Sequence, residues 1–183
     1  MGNKQEKEHL RKNARLILVA NNEEKSDTIR QFIMKMPQYL SAKVVYLFMS
    51  LPNEPSTKEL IAEILGEKIV AIPIVDGKEI KFARLYPNMR LVSRKFNIME
   101  PENIEIMHQE ADIIFIPMVA FDKNFGRLGH GYGYYDKYLK TLKRGVKVGL
   151  AFSDYEVENV FSTDNDITMD IIVTDEGIFE RKG

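Results

Sequence analysis

The chain has 183 residues, of which 44% are hydrophobic and 29% are charged, and its 26 basic and 27 acidic side chains leave a formal net charge of −1. This composition is that of an ordinary globular domain, and the balanced charge gives no general electrostatic reason to bind nucleic acid or an anionic membrane. The absence of cysteine excludes disulfides, thiolate catalysis and cysteine zinc sites, and three scattered histidines argue against a histidine metal site.

The length predicts a single domain over residues 1–183, with N-terminal helices in residues 4–36 and an αβα core in residues 43–183. No apolar run approaches membrane-spanning length, and the N-terminus lacks the apolar core of a signal peptide. We therefore expect a cytoplasmic protein with no membrane partner.

Two helices are predicted at the N-terminus. Apolar residues at helical spacing predict the first over residues 4–20, and a second is expected from Ser26 or Asp27, a favourable N-cap, to about Met36. The first helix also carries a stripe of basic residues at every fourth position, which is usually only a solvated face: Lys7, Arg11 and Arg15.

Five short runs, apolar on both faces, predict the central strands of a parallel sheet: residues 43–49, 69–75, 112–121, 146–152 and 169–174. Helices between them are predicted at residues 56–65, 134–143 and 155–160. The Asp76-Gly77 turn predicts an antiparallel strand over residues 79–85, and residues 86–110 are interpreted as a surface excursion. The pattern indicates a single-domain α/β protein, a three-layer αβα sandwich with a mostly parallel sheet.

A glycine-rich loop leads into the helix at Tyr134, with glycines at positions 126, 129, 131 and 133. Such glycines let backbone N–H groups approach an anion, and a helix N-terminus adds positive dipole. Arg127 supplies a cation, and Asp136 is a carboxylate able to hold magnesium. These parts suit a nucleotide phosphate, but tight strand-to-helix packing explains such a turn equally well, and neither G-x-G-x-x-G nor a Walker loop is present.

Three polar segments follow predicted strand ends, where ligands collect in open α/β sheets: residues 50–57, 122–133 and 175–177. The first contains Glu54 between two prolines that stiffen it. A buried glutamate there would bind a donor-rich heterocycle, whereas a solvated loop acid is the commoner alternative.

Several ordered segments together resemble the 5-formyltetrahydrofolate cyclo-ligase family, also called 5,10-methenyltetrahydrofolate synthetases. The RLG-x-G-x-GYYD element is highly specific, and the other segments are persuasive as a series. They are KEHLR (7–11), FMSLPNEPST (48–57), FNIMEP (96–101), IPMVAFD (116–122) running into RLGHGYGYYDKYL (127–139), and NDITMDIIVTD (165–175).

The resemblance implies a three-layer αβα fold of the type shared by sugar-phosphate isomerases and CoA transferases. It also implies an ATP-dependent ligase that uses Mg²⁺ to convert 5-formyltetrahydrofolate to 5,10-methenyltetrahydrofolate, with ADP and phosphate as the other products. Phosphorylation of the formyl oxygen and attack by N10 would drive the ring closure. The implied partners are the folate and ATP, and we expect a monomer or a weak homodimer.

Site residues are implied by matched position. The catalytic set is Lys7, Arg11, Arg127 and Tyr135, and the ATP-binding set adds Leu128, Gly129, Gly131, Gly133 and Tyr134. Folate contacts are implied at Met49, Glu54, His130, Tyr132 and Tyr134, and magnesium ligands at Asp136 and Asp166.

The chain departs from the family pattern at several positions: Phe125 and Tyr132 replace glycines, Lys137 replaces arginine, Pro55-Ser56 replaces Val-Asp, and Asn97 replaces glycine. A positive φ at position 125 would strain a phenylalanine. These changes keep open a second hypothesis, a folate- or nucleotide-binding relative without turnover. A third, a nucleic-acid-binding module, has only the basic stripe behind it.

Overall fold

The computed structural model describes residues 2–94 and 98–182. Its α-helices are α1 (Gly2–Leu16), α2 (Asn22–Lys35), α3 (Pro37–Ser41), α4 (Lys58–Ile64) and α5 (Tyr134–Leu139). Its strands are β1 (Val44–Tyr46), β2 (Ile69–Asp76), β3 (Glu79–Leu85), β4 (Leu91–Ser93), β5 (Met99–Pro101), β6 (Ile113–Pro117), β7 (Ala120–Phe121), β8 (Arg127–Leu128), β9 (Val146–Leu150), β10 (Ile171–Thr174) and β11 (Gly177–Glu180).

A seven-stranded sheet organises the chain in the order β11-β10-β9-β6-β1-β2-β3. Its five central strands run parallel, and both edge strands are antiparallel to their neighbours. From β1 the chain builds out to β2 on one side, whereas β6, β9 and β10 build out on the other. The strand order therefore reverses between β1 and β6, where open α/β sheets bind ligands at the carboxyl ends of their strands.

The core lies on both faces of this sheet. The side chains of β1 are fully buried, as are those of β6 except at Pro117. Helix α2 packs on β10 and β11, whereas α5 packs on β3. Tyr46 stacks on Phe82 with ring centroids 4.3 Å apart, and the ring of Tyr138 from α5 also contacts Phe82. The predicted fold class, α/β with a mostly parallel sheet between helices, is confirmed.

The predicted hairpin is confirmed in full. Strand β3 covers Glu79–Leu85, pairs with β2 from Asp76↔Glu79 onward, and follows a turn in which Gly77 has a φ of 62°. The excursion over residues 86–110 contains the antiparallel pair β4 and β5. None of the helices in the described ranges has both the length and the apolar character that crossing a membrane requires.

The N-terminal helix boundaries differ from prediction. Helix α1 ends at Leu16 rather than at residue 20. Leu16 and Leu18 are exposed, whereas Ile17 and Val19 pack against the core, an alternation that does not fit a continuing helix. Helix α2 begins at Asn22, so the predicted N-cap at Ser26 or Asp27 is wrong. The chain instead enters α2 through Asn21, which has a left-handed φ of 53°. Pro37, the residue after the predicted end of the second helix, begins the unpredicted helix α3, since proline suits a first helical turn.

The predicted helix over residues 155–160 is wrong. A 3-10 helix ends at Tyr155, and the following chain is extended because Val157 donates its N–H to Phe121 and Val160 donates its N–H to Asp122. Helix α5 likewise ends at Leu139 rather than at residue 143.

Two strand predictions also need correction. The run over residues 112–121 is divided between β6 and β7, because Val119 donates its N–H to Leu128 and the chain leaves the main sheet after Pro117. The pairing of β7 with β8 forms a small separate hairpin. Strand β11 was not predicted, since its exposed Ile178 and Phe179 lack the alternation of a half-buried strand.

Candidate active site

A cavity of about 360 Å³ lies at the carboxyl ends of the central strands, beside the point where the strand order reverses. Its walls come from α1, the loop after β1, the β2–β3 hairpin, Ile98 and Glu100, Pro117 at the end of β6, the segment from β8 into α5, and Asp166. Residues far apart in the sequence therefore meet in this cavity, because strands that are distant in the chain are neighbours in the sheet.

The glycine-rich loop forms one wall of this cavity. Gly131 and Gly133 have φ values of 100° and 68°, which L side chains rarely adopt. A Cβ added at Gly131 would lie 3.2 Å from the guanidinium carbon of Arg11, so the glycine makes room for that side chain. Arg11 in turn donates from Nε to the carbonyl of Gly129 at 2.9 Å.

Arg127 is the buried cation of the site. Its residue is 5% exposed, and one terminal nitrogen donates to Asp136 Oδ1 at 2.8 Å. Its Nε has no hydrogen-bond partner among the described residues. The guanidinium also lies 5.9 Å from the ring centre of Tyr135. A buried cation that lines a cavity and keeps an unused donor is suited to an anionic ligand.

Tyr135 is a half-buried residue that lines the same cavity, and its hydroxyl oxygen is buried. Its hydroxyl has no hydrogen-bond partner among the described residues. Burial and the nearby Glu54 carboxylate raise its pKa well above the ordinary value, although Arg127 opposes this. Tyr135 therefore stays protonated at neutral pH and can act as a neutral hydrogen-bond donor, not as a base.

Helix α1 brings a second cation to the site. Lys7 donates to Asp166 Oδ2 at 2.5 Å, and the same oxygen accepts hydrogen bonds from the N–H and hydroxyl of Thr163. Burial alone would raise the pKa of Asp166, but the hydrogen bonds from Lys7 and Thr163 outweigh it and lower that pKa. Lys7 reaches the site through Asp166, which lines the cavity.

Glu54 is buried at 7% exposure, so it is not a solvated loop acid. Its Oε2 accepts the N–H of Leu51 at 2.8 Å, which closes the turn after β1, and its Oε1 lies 3.0 Å from His130 Nε2. Met49 precedes this turn and also lines the cavity. The loop after β1 thus contributes a carboxylate to the cavity, next to His130 of the glycine-rich loop.

Tyr132 and Tyr134 line the cavity with stacked rings whose centroids are 5.6 Å apart. Tyr132 is 55% exposed, so this bulky replacement of a glycine extends the aromatic surface of the cavity mouth. Lys137, by contrast, turns away and donates to the carbonyl of Lys78 in the β2–β3 turn.

Phe125 has a φ of 62°, so the predicted strain at this position is present in the fold. The neighbouring Gly126 has no room for a side chain, since a Cβ there would lie 2.7 Å from Val160 and 2.8 Å from the Ser162 hydroxyl. Asp122 holds the turn by accepting the N–H groups of Asn124 and Gly126. Phe125 is not among the cavity residues, so the strain stays outside the site.

The predicted site residues are brought together with one exception. All line the cavity except Lys7, which donates a hydrogen bond to the cavity residue Asp166. Residues that the sequence did not indicate form a further wall: Pro73, Val75, Ile80, Ile98 and Glu100. Ile98 and Glu100 belong to the FNIMEP motif, which is the sequence signal that could have indicated this wall. Its Phe96 and Asn97 lie outside the described residues.

The predicted magnesium ligands are two separated carboxylates. Among the described residues no group of three or more His, Cys, Asp or Glu side chains could hold a metal ion. Asp136 and Asp166 nevertheless line one cavity, and each uses a single oxygen for its cation partner. Mg²⁺ is commonly held by one or two carboxylates together with water and substrate phosphates. The donor set fits that mode of binding and not an all-protein cage.

Comparison with known proteins gives consistent matches. A model of the family described as "5-formyltetrahydrofolate cyclo-ligase family" matches residues 2–175. The 5-formyltetrahydrofolate cyclo-ligase of Haemophilus influenzae is 33% identical over 80% of this chain and 83% of its own length. A probable 5-formyltetrahydrofolate cyclo-ligase of Schizosaccharomyces pombe is 30% identical over 85% of this chain and 86% of its own.

Two solved structures share the fold. The NMR structure of Aquifex aeolicus 5,10-methenyltetrahydrofolate synthetase superposes with a TM-score of 0.85 at 32% identity, covering 100% of this chain and 95% of that one. A 5,10-methenyltetrahydrofolate synthetase from Mycoplasma pneumoniae superposes with a TM-score of 0.73 at 22% identity, over 96% and 99% of the two chains.

Proposed function

The chain belongs to the 5-formyltetrahydrofolate cyclo-ligase family and is thus a ligase of folate one-carbon metabolism, and from this premise we propose that it consumes ATP to convert 5-formyltetrahydrofolate to 5,10-methenyltetrahydrofolate. One observation carries the proposal: a single cavity joins a cation-lined glycine loop to an apolar wall that bears carboxylates. A phosphate and a donor-bearing heterocycle would each find suitable partners there.

The reaction proceeds in two steps. The formyl oxygen is a poor leaving group, so it first attacks the γ-phosphorus of ATP and ADP departs. N10 of the folate then attacks the activated carbon and loses its proton, and the bond between carbon and the phosphate oxygen breaks. The products are the methenyl cation, ADP and inorganic phosphate. Such chemistry needs positioning and charge neutralisation more than a covalent nucleophile.

The phosphates of ATP are assigned to Arg127, Arg11 and Lys7. Arg127 and Lys7 are held by Asp136 and Asp166, and Arg11 by a backbone carbonyl, so each is oriented before ATP arrives. Preorganised donors of this kind stabilise the charge that develops in phosphoryl transfer. Leu128, Gly129, Gly131, Gly133 and Tyr134 would lie along the nucleotide, and the protonated Tyr135 hydroxyl would donate a neutral hydrogen bond to a reacting oxygen.

Asp136 and Asp166 would hold Mg²⁺ through their second oxygens. When bound, the ion would neutralise negative charge on the triphosphate. Lys7 and Arg127 already contact these carboxylates, so an ATP phosphate would find cations and acidic ligands side by side.

The folate is assigned to the aromatic and acidic residues of the cavity: Met49, Glu54, His130, Tyr132 and Tyr134. Two of the three loop departures that motivated a non-catalytic relative do not line the cavity, namely Phe125 and Lys137. Tyr132 does, but it adds stacking surface and removes no charged group. We therefore propose an enzyme that turns over its substrates, and not a relative that only binds them.

An absorbance assay tests this function, because methenyltetrahydrofolate has a conjugated amidinium chromophore that the substrate lacks. We expect a near-ultraviolet rise that requires 5-formyltetrahydrofolate, ATP and magnesium together. Arg127→Ala should lower kcat by about 10²–10³-fold, as does the loss of one preorganised donor elsewhere. Arg127→Lys, which keeps the charge but loses the planar guanidinium that can form two parallel hydrogen bonds, should retain part of the activity.

Arg144→Ala is the matched control, since Arg144 is exposed and outside the cavity. Circular dichroism of each variant separates loss of chemistry from loss of folding. Binding of both ligands by the wild-type protein without any absorbance rise would refute turnover, and normal kcat in a folded Arg127→Ala would remove Arg127 from the phosphate site.

A further inference from the structure

The two edges of the seven-stranded sheet differ in how they are covered. At one edge, β3 is paired by the chain itself, because Arg84 donates its N–H to Glu105 and Phe82 accepts the N–H of Met107. At the other edge, β11 pairs with β10 on one side, and no described strand or loop pairs with its second side. An unpaired edge can add a strand from another chain.

The free backbone groups of β11 belong to alternate residues. Arg181 donates its N–H to the carbonyl of Asp170, so these two residues form a hydrogen-bonded pair of the antiparallel ladder. Such pairs alternate with pairs that are not hydrogen-bonded. Phe179, two residues earlier, therefore also bonds to β10, whereas Ile178 and Glu180 direct their N–H and C=O groups to the open edge.

The same edge is apolar on both faces of the sheet. Ile178 is 36% exposed and Phe179 is 45% exposed. Because successive side chains of a strand point to opposite faces, these two neighbours leave apolar surface on each side of one short segment. A strand paired with β11 would cover both side chains at once, which a helix packed on one face could not do.

The charges around β11 make it complementary to itself in one register. In a two-fold antiparallel pair the axis can lie at Ile178, Phe179 or Glu180. An axis at Glu180 places that residue opposite its own copy, and an axis at Ile178 places Glu176 opposite Glu180. Like charges directly opposite each other destabilise a sheet. An axis at Phe179 instead places Glu176 opposite Lys182, and it places Ile178 opposite Glu180.

The register with its axis at Phe179 also satisfies the backbone. Ile178 of each copy would exchange N–H and C=O bonds with Glu180 of the other copy, which uses the groups that β10 leaves free. Phe179 would then lie opposite its own copy in a pair without hydrogen bonds, where side chains approach most closely. Cross-strand aromatic pairs stabilise a sheet. Backbone, aromatic and charged groups thus agree on one arrangement.

We propose that β11 is a self-association surface, which pairs with β11 of a second copy of this chain through a two-fold axis at Phe179. The two sheets become continuous, and the contact is the same surface on both copies. No residue of β11 lines the cavity, so each copy keeps a complete site and this inference does not depend on the proposed function.

The contact is short, so the dimer is weak. Strand β11 has only four residues, and stable interfaces bury at least roughly 1,200 Å² in total. We expect a dissociation constant on the order of 0.1 mM. Sedimentation velocity over a concentration series, up to about 1 mM, should therefore show the mean mass rising from 21.2 kDa towards twice that value.

Ile178→Pro tests the backbone pairing, since it removes an N–H that points to the open edge and spares the bonds between β11 and β10. We expect the dissociation constant to rise about tenfold or more, with an unchanged circular dichroism spectrum. A protein that stays monomeric at about 1 mM overturns the proposal. A folded Ile178→Pro variant that associates as strongly as wild type overturns it as well.

Charge reversal tests the register without changing the backbone. Glu176→Lys should weaken association by about three- to tenfold, because it places two lysines opposite each other in each of two symmetric positions. Adding Lys182→Glu to that variant should restore association. Glu158→Lys is the matched control, since Glu158 is an exposed acid outside β11. If the double variant associates no better than Glu176→Lys, the proposed pairing is wrong.

Discussion

Gly131 is the residue at which the glycine-rich loop meets α1. Its predicted use was to expose backbone N–H groups to an anion, yet its missing side chain also leaves space for the Arg11 guanidinium. The missing side chain therefore leaves the space in which Arg11, the proposed phosphate-binding cation, lies against the loop. At Gly133 space is not the constraint, since no described atom lies within 4 Å of a Cβ there, but its φ of 68° would still strain a side chain.

Gly131→Ala should displace Arg11 and break its bond to the Gly129 carbonyl. We expect the KM for ATP to rise roughly tenfold, the equivalent of one lost hydrogen bond to a charged group, with about 1–2 kcal/mol lost in stability from the positive φ. Gly77→Ala is the control, because Gly77 has a φ of 62° and no neighbour within 4 Å. If both variants change the KM for ATP equally, Arg11 has no special dependence on Gly131.

At the scale of elements, α1 is the helix that completes the site. It is polar along most of its length and is attached by few contacts: the Lys7–Asp166 pair, the Arg11–Gly129 bond, and packing of Leu10 and Ala14. Elements with few buried contacts open locally at lower free energy than the core. Loss of any one of these contacts should therefore loosen α1 before it affects the sheet.

The Lys7–Asp166 pair predicts an acid dependence of this attachment. The folded pKa of Asp166 lies below its ordinary value, so its stabilising effect is present above the unfolded pKa of about 4 and is lost as the pH falls through the folded pKa. Asp166→Asn should remove about 0.5–1 kcal/mol at pH 7 and flatten the loss of stability below pH 4.

Urea unfolding at a series of pH values measures this effect, and hydrogen exchange in residues 4–14 places it in α1. Asp76→Asn is the matched control, since Asp76 forms an exposed surface pair with Lys81. Identical pH profiles for wild type and Asp166→Asn would show that this pair does not attach α1.

For the whole molecule, one core connects the two sides of the sheet. The main hydrophobic cluster contains buried residues of α2, α3, α4 and α5 together with strands β1, β2, β3, β6, β7, β9 and β10. The predicted single domain should therefore unfold in one transition, although its length is at the upper end for two-state behaviour. Far-ultraviolet circular dichroism and tyrosine fluorescence should give the same urea midpoint, and separated midpoints would indicate two folding units.

Much of the fold could be predicted because its signals are local. The apolar runs of β2, β9 and β10 and the Asp76-Gly77 turn each depend on neighbouring residues, and strand β3 was placed at its observed bounds. The segment after Tyr155 was not predictable in this way. Its extended form depends on bonds to Phe121 and Asp122, more than thirty residues away.

The sequence by itself determined the α/β class, the family and many of the residues that line the cavity, because strand periodicity and ordered motifs are properties of neighbouring residues in the chain. Only the tertiary structure decided the burial of Glu54, the seating of Arg11 against Gly131 and the presence of Glu100 in the apolar wall. Each of these depends on contacts between distant segments, and burial and unsatisfied hydrogen-bonding capacity are properties of the packed molecule that no local pattern carries.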